Sequence, residues 1–147
     1  MKLLILNGPN LNKLGKREPE IYGSGSFDDF FPALQSLFED VELSYKQSNV
    51  EGELINMLHE ADELVDGVLL NGGGYTHTSV ALADAVAAIQ IPVVEIHISN
   101  LLTREAFRHN SYLGPVCKGS IMGLGLDGYR LGIESMRMLV KKGSLKK

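Results

Sequence analysis

The sequence has 147 residues, the size of one compact domain and too short for two full ones. Hydrophobic residues make up 44% and charged residues 22%, a balance that excludes an intrinsically disordered chain. With 18 acidic and 14 basic residues the net charge is -4, which argues against a nucleic-acid binder held by phosphate contacts. A single cysteine, Cys117, excludes an internal disulfide and fits a reducing compartment. The apolar runs are too short for a signal peptide or a membrane span, so we expect a soluble, cytoplasmic protein.

Short apolar runs alternate with longer helical patterns along the chain. The first run, at 3–6, is apolar throughout, as in a strand buried on both faces, and Asn7-Gly8-Pro9 ends it. The polar, glycine-rich stretch 10–25 follows, and loops of this length in compact domains are typically functional. Strands are predicted at 3–6, 41–45, 67–71, 92–97 and 116–122.

Helical periodicity fills the intervals between these strands. Ser26 is expected to cap a helix that reaches Phe38, although a proline at position 32 obscures where that helix starts. Asn49 is expected to cap a second helix. An alanine-rich helix is predicted over 78–89 and an amphipathic one over 129–141.

Alternation of five strands with helices predicts a parallel sheet that is covered on both faces. We expect an α/β, flavodoxin-like doubly wound five-stranded parallel sheet in a single domain over 1–147, because five units do not close a barrel. In such sheets ligands bind at the carboxyl ends of the strands, where the strand order switches. The loops after the first, third and fourth strands are therefore the expected functional ones.

Three groups of polar residues lie at those positions. Glu95 and His97 are two apart on a strand and share a face, where a carboxylate fixes the imidazole tautomer of a general acid. Asn71 and His77 flank a glycine-rich strand-to-helix turn that suits an anion. In the loop 10–25, Arg17 and Tyr22 pair a guanidinium with a phenol that could act as a base. Each group alone also has a purely structural interpretation: a polar strand end, a helix cap or solvated surface residues.

Several chemistries lack their motifs. No CxxC, HExxH or histidine cluster is present, so no metal site is expected. The phosphate-binding loop motif GxxxxGK[ST] is absent, and no dinucleotide-binding motif GxGxxG follows the first strand. The similar run Gly-Leu-Gly-Leu-Asp-Gly at 123–128 follows the last strand and has no downstream βαβ unit. Cys117 is expected to be a buried strand residue and not a nucleophile.

Taken together, the motifs resemble the type II 3-dehydroquinate dehydratases over nearly the whole chain. They are Asn7-Gly-Pro-Asn10-Leu-Asn, Gly15-Lys-Arg17-Glu-Pro, Tyr22-Gly23, Asn71 with Tyr75-Thr-His-Thr-Ser79, Glu95-Ile-His97-Ile-Ser99-Asn100, Arg104-Glu, Phe107-Arg108, Ser111-Tyr112, Gly119, Gly123-Leu-Gly and Gly128-Tyr129. The resemblance implies a lyase of the shikimate (chorismate and aromatic amino-acid biosynthesis) or quinate pathway. It would convert 3-dehydroquinate to 3-dehydroshikimate by anti elimination through an enolate. It also implies no cofactor and a homododecamer built of trimers.

The resemblance also implies a role for each matching residue in catalysis. Tyr22 would be the base at C2 and Arg17 would stabilise its phenolate. Asn10 would hold the water or oxygen that stabilises the enolate. His97, oriented by Glu95, would protonate the departing hydroxyl. The loop 10–25 would be a lid that closes over the substrate.

Other matching residues would bind the substrate. The backbone N–H groups of Ile98 and Ser99 and the Asn71 side chain would hold the carboxylate and ring hydroxyls. His77 and Arg108 would contact the remaining hydroxyls. Asp84 would reach into the neighbouring subunit's site, and Arg104 would anchor the lid.

The chain departs from the family pattern at Gly72–Gly74, Lys13, Val50, Asn110, Gly114 and Pro32, none of them a proposed catalytic residue. Two alternatives stay open: a catalytically silent relative that binds quinate-like acids, and a flavodoxin-like domain that binds FMN or accepts phosphate. The presence of Tyr22, Arg17, Asn10, Glu95 and His97 counts against the first. The second alternative predicts a flavin-coloured protein or an acidic pair after the first strand. Asn7-Gly8-Pro9-Asn10 follows that strand instead, which counts against this alternative.

Overall fold

A computed structural model describes residues 1–16, 18, 20 and 25–145. Within them, five strands form one parallel sheet in the order β2-β1-β3-β4-β5. The chain runs outward from β1 to β2 and then crosses to β3, so the strand order switches between β1 and β3. This confirms the predicted flavodoxin-like sheet. The strands are β1 Lys2–Asn7, β2 Glu42–Gln47, β3 Gly67–Asn71, β4 Val93–His97 and β5 Gly119–Met122.

The α-helices of the described residues cover both faces of the sheet. Because side chains alternate along a strand, Leu3 and Ile5 pack on one face and Leu4 and Leu6 on the other. The first face is covered by α1 and α4, and the second by α2 and α3. No described helix is long and apolar enough to cross a membrane. The helices are α1 Phe27–Leu37, α2 Glu51–Leu64, α3 Val80–Ala88 and α4 Asp127–Leu145.

Two helix starts test the capping predictions. Ser26 caps α1 as predicted, accepting a hydrogen bond from the backbone N–H of Asp29. The prediction that Asn49 caps α2 is wrong, because Val50 occupies that position without a side-chain cap. The Asn49 Oδ1 atom instead accepts from the backbone N–H of Asn10 and from Gln47 Nε2, each at 3.0 Å. Asn49 thus ties the start of the 10–25 loop to the end of β2.

The last strand is shorter than predicted. β5 starts at Gly119, because the N–H groups of Val116 and Cys117 donate to the carbonyl oxygen of Leu113 in a tight turn before it. Cys117 is therefore half-buried in a connecting turn, and its prediction as a buried strand residue is wrong. Burial raises the pKa of its thiol to about 12, which keeps it protonated near neutral pH.

Candidate active site

One cleft opens at the carboxyl ends of β1, β3 and β4, where the sheet topology places a ligand. It brings together predicted site residues from three separate loops. Arg17 and Tyr22 lie outside the described residues, so the model does not place them. Among the residues that line the cleft are Asn10, Asn71, His77, His97, Ile98, Ser99, Arg104 and Arg108.

Glu95 and His97 form a buried pair at the end of β4. The Glu95 Oε1 atom lies 2.8 Å from His97 Nε2, and the two side chains are 1% and 5% exposed. Ser111 Oγ donates to Oε1 at 2.6 Å, and Ser120 Oγ donates to Oε2 at 2.5 Å. Burial raises the pKa of Glu95, but the hydrogen bonds from His97 and the two serines outweigh it and hold that pKa below its ordinary value.

An ionised Glu95 determines which ring nitrogen of His97 carries hydrogen. A carboxylate only accepts hydrogen bonds, so the His97 Nε2 atom must be the protonated one. The other ring nitrogen, Nδ1, is then left for a ligand in the cleft that His97 lines. A residue held in this way can deliver a proton from Nδ1 and return to the neutral tautomer.

His77 lies across from His97 in a different electrostatic setting. The two rings are nearly parallel, with centroids 6.4 Å apart. The His77 Nδ1 atom is 2.7 Å from the carbonyl oxygen of Asn110, so Nδ1 carries the hydrogen. Burial lowers the pKa of His77, so its neutral ring presents Nε2 as an acceptor. His77 is thus suited to accepting a hydrogen bond from a ligand hydroxyl.

Asn71, at the end of β3, is oriented by the protein on both sides of its amide. Its Oδ1 atom accepts from the backbone N–H of Gly73 at 3.2 Å, and its Nδ2 atom lies 3.1 Å from the hydroxyl of Tyr129. Gly73 has a φ of 56°, and a Cβ there would lie 2.9 Å from the carbonyl oxygen of Pro9. The glycine at position 73 is therefore required by both conformation and space.

Backbone and cationic groups supply the rest of the cleft. Among the described residues, the N–H groups of Ile98 and Ser99 have no hydrogen-bond acceptor, and both residues line the cleft immediately after β4. Arg108 Nε donates to Glu105 Oε2 at 2.8 Å, while Arg104 approaches the same oxygen at 3.8 Å. The two guanidinium groups share Glu105, and the two available N–H donors make this end of the cleft suited to a carboxylate.

Two further predicted residues occupy distinctive positions. Asn10 has a left-handed backbone with a φ of 69°, and asparagine is one of the few residues that adopts this readily. Asp84 is exposed on α3 and is not among the residues that line the cleft of its own chain. Within one chain, Asp84 therefore lies apart from the other predicted site residues that line the cleft.

No site role was predicted from the sequence for the residues whose hydroxyls bond to Glu95 and Asn71. Ser120 lies directly opposite Glu95 in the β4–β5 register, and Tyr129 lies between the ends of β1 and β3. Ser111 and Tyr129 were noted only as parts of motifs. The one available signal was Asn7, a polar residue at the end of an apolar strand.

Comparisons with known proteins identify the family of this chain. The model of the family described as dehydroquinase class II matches residues 1–137. This chain belongs to the class II dehydroquinase family. It is 55% identical over 142 residues to the 3-dehydroquinate dehydratase of Bacillus pumilus, an alignment that covers 95% of each chain.

Solved structures of the family share the fold. A crystal structure of type II dehydroquinase from Butyrivibrio crossotus aligns with a TM-score of 0.91 and 42% identity, covering 93% of this chain and 97% of that one. A type II dehydroquinase from Propionibacterium acnes aligns with a TM-score of 0.87 and 36% identity, covering 95% of this chain and 96% of that one. The family and fold predicted from the sequence are thereby confirmed.

Proposed function

We propose that this chain is a 3-dehydroquinate dehydratase, a lyase that converts 3-dehydroquinate to 3-dehydroshikimate and water in the shikimate or quinate pathway. The observation that carries the proposal is the Glu95–His97 pair, buried at a cleft whose other groups suit a small polyhydroxy carboxylate. The family to which the chain belongs supports the same reaction.

The proposed binding mode uses donors where the substrate has oxygen. The substrate carboxylate and ring hydroxyls are bound by the N–H groups of Ile98 and Ser99 and by the Asn71 side chain, and all three residues line the cleft. His77 and Arg108 contact the remaining hydroxyls. Because Asn71 ends β3, and Ile98 and Ser99 directly follow β4, the sheet preorganises these three groups before the substrate arrives.

The proposed chemistry is a two-step elimination. The phenolate of Tyr22, stabilised by Arg17, removes the proton at C2, and the electron pair of that C–H bond moves into the enolate. Asn10 holds the water or oxygen that stabilises the enolate charge. The enolate then collapses, the C1–O bond breaks, and His97 supplies the proton with which the hydroxyl leaves as water. Arg17 and Tyr22 lie outside the described residues, so their roles rest on the family resemblance.

The remaining parts of the proposal concern organisation. We expect one catalytic domain over 1–147, a lid formed by 10–25 that Arg104 anchors, and a cytoplasmic homododecamer built of trimers. Asp84 contributes to the site of a neighbouring subunit, which is consistent with its exposure on α3. The scheme needs no cofactor, and no cluster of metal-ligating side chains occurs among the described residues.

The test is to mix the purified protein with 3-dehydroquinate and follow the ultraviolet absorbance of the conjugated enone product. The expected result is a rise that is unchanged after the protein has been treated with borohydride in the presence of 3-dehydroquinate and then dialysed, because the scheme has no Schiff base to be reduced. Tyr22→Phe should abolish turnover while retaining binding. No absorbance rise with wild-type protein would overturn the proposed activity and favour a silent relative that binds such acids.

A further inference from the structure

A buried chain of polar groups lies behind Asn71, where β1 and β3 end. Tyr129 of α4 is fully buried, and its hydroxyl lies 2.8 Å from Asn7 Oδ1 and 3.1 Å from Asn71 Nδ2. Gly73 N–H completes the chain at 3.2 Å from Asn71 Oδ1. Asn7 and Asn71 are neighbours in the β1–β3 register, and both are buried. One tyrosine therefore bridges the two strands at which the strand order switches.

The direction of every hydrogen bond in this chain of polar groups follows from the backbone N–H of Gly73. A backbone N–H only donates, so the atom of Asn71 that faces Gly73 is its carbonyl oxygen. The amide nitrogen then faces Tyr129, whose hydroxyl must accept from it and so donates its own proton to Asn7. Burial raises the pKa of Tyr129, which keeps that proton in place.

We propose that Tyr129 is a positioning residue that, together with the N–H of Gly73, holds the Asn71 amide in one orientation and so presents an N–H donor to the cleft. Gly73 occupies Oδ1 and Tyr129 occupies one Nδ2 hydrogen, which leaves the second Nδ2 hydrogen for a ligand. This inference rests on the proposed function, in which that ligand atom is an oxygen of the substrate. An amide turned by 180° would present an oxygen to the substrate oxygen and would lose the bond from Gly73. It could bond to Tyr129 only if the hydroxyl turned its proton away from Asn7.

The hydroxyl also explains why a tyrosine rather than a phenylalanine fits here. The ring of Tyr129 packs edge-on against Phe27, with centroids 5.0 Å apart, and this contact does not require a hydroxyl. Without the hydroxyl, one Nδ2 hydrogen of Asn71 and the Oδ1 atom of Asn7 would lose their partner in a buried site. The hydroxyl is therefore needed as the hydrogen-bond partner of Asn7 and Asn71.

The experiment compares Tyr129→Phe with wild type in steady-state turnover of 3-dehydroquinate. We expect KM to rise about 5- to 10-fold and kcat to change less than about twofold, since an interaction common to ground and transition states is weakened. Ile133→Val is the matched control: it shortens another fully buried side chain of α4 without touching the polar chain. Its KM should match wild type even where its thermal stability falls as far as that of Tyr129→Phe.

A double-mutant cycle separates positioning from general destabilisation. If Tyr129 acts through Asn71, Tyr129→Phe should raise KM no further in an Asn71→Ala background. An unchanged KM in Tyr129→Phe, a rise equal to that of Ile133→Val, or the same rise in the Asn71→Ala background would each overturn the inference. Should Tyr129→Phe fail to fold, Asn7→Ala tests the chain of polar groups from its other end, because it removes the acceptor of the hydroxyl proton and lets that proton turn towards Asn71. KM should then rise in the wild-type background and not in the Asn71→Ala background, and an unchanged KM would overturn the inference. Absence of wild-type turnover would defeat the proposed function instead, so the two failures are distinguishable.

Discussion

The ends of β3 and β4 lie side by side in the sheet but are built from different chemistry. At β4, the ionised Glu95 collects three hydrogen bonds from His97, Ser111 and Ser120. At β3, the partners of Asn71 among the described residues, Gly73 and Tyr129, are both neutral. The charged end can change its protonation state during a reaction, whereas the neutral end keeps one arrangement. The difference is consistent with the proposed roles, which are proton transfer at β4 and substrate positioning at β3.

The largest expected effect is at the charged end. His97→Asn keeps a hydrogen-bonding side chain but removes the titrating group, so kcat should fall by about 10²- to 10⁴-fold while KM changes little. Steady-state kinetics with 3-dehydroquinate measures both constants. His59→Asn, an exposed histidine on α2, is the matched control and should behave as wild type. A kcat within tenfold of wild type would contradict the acid role of His97.

Glu95→Gln should reduce kcat by about 10- to 100-fold, because the imidazole loses its anionic partner but not its place in the fold. The same variant gives a pH test. Folding lowers the pKa of Glu95, so the ionised group stabilises the protein above its unfolded pKa of about 4.3, and this contribution is lost as the pH falls through the lower folded value. The Tm gap between wild type and Glu95→Gln should therefore shrink from pH 7 towards pH 3. A gap independent of pH would contradict the pKa shift.

At the neutral end, the expected effect is on binding. Asn71→Asp introduces a negative charge beside the site proposed for the substrate carboxylate, so KM should rise by about 10- to 100-fold through like-charge repulsion. Asn56→Asp adds the same charge at an exposed position of α2 and should leave KM unchanged. If Asn71→Asp lowered kcat far more than it raised KM, the division between the two strand ends would be refuted.

The smallest expected effect comes from the support of Glu95. Ser120→Ala removes one of its hydrogen-bond donors, so the pKa of Glu95 should rise and kcat should fall about two- to fivefold. Ser135→Ala, which removes a hydroxyl that bonds within α4, is the control and should keep wild-type kcat. Equal kcat for the two serine variants would show that His97 does not depend on this bond.

Local signals in the sequence predicted the sheet well because strand patterns are short-range. The predicted strand 67–71 coincides with β3, and Ser26 caps α1 as expected. The prediction failed at Asn49, where a hydrogen bond to Asn10, 39 residues away, engages the side chain that was expected to cap α2. Capping preferences concern residues that are close in sequence, so they do not predict a hydrogen bond to a residue that is distant in sequence.

The sequence by itself determined the fold class, the family and most of the polar residues that line the cleft, because periodicity and motif spacing are written along the chain. The tertiary structure decided how those residues are held. Tyr129 bonds to Asn71 and Asn7 across 58 and 122 positions, and Ser120 reaches Glu95 across 25. The polarity of an amide and the charge of a carboxylate depend on which donors and acceptors surround them in space. Those neighbours meet only when α4 and β5 pack against the ends of the central strands.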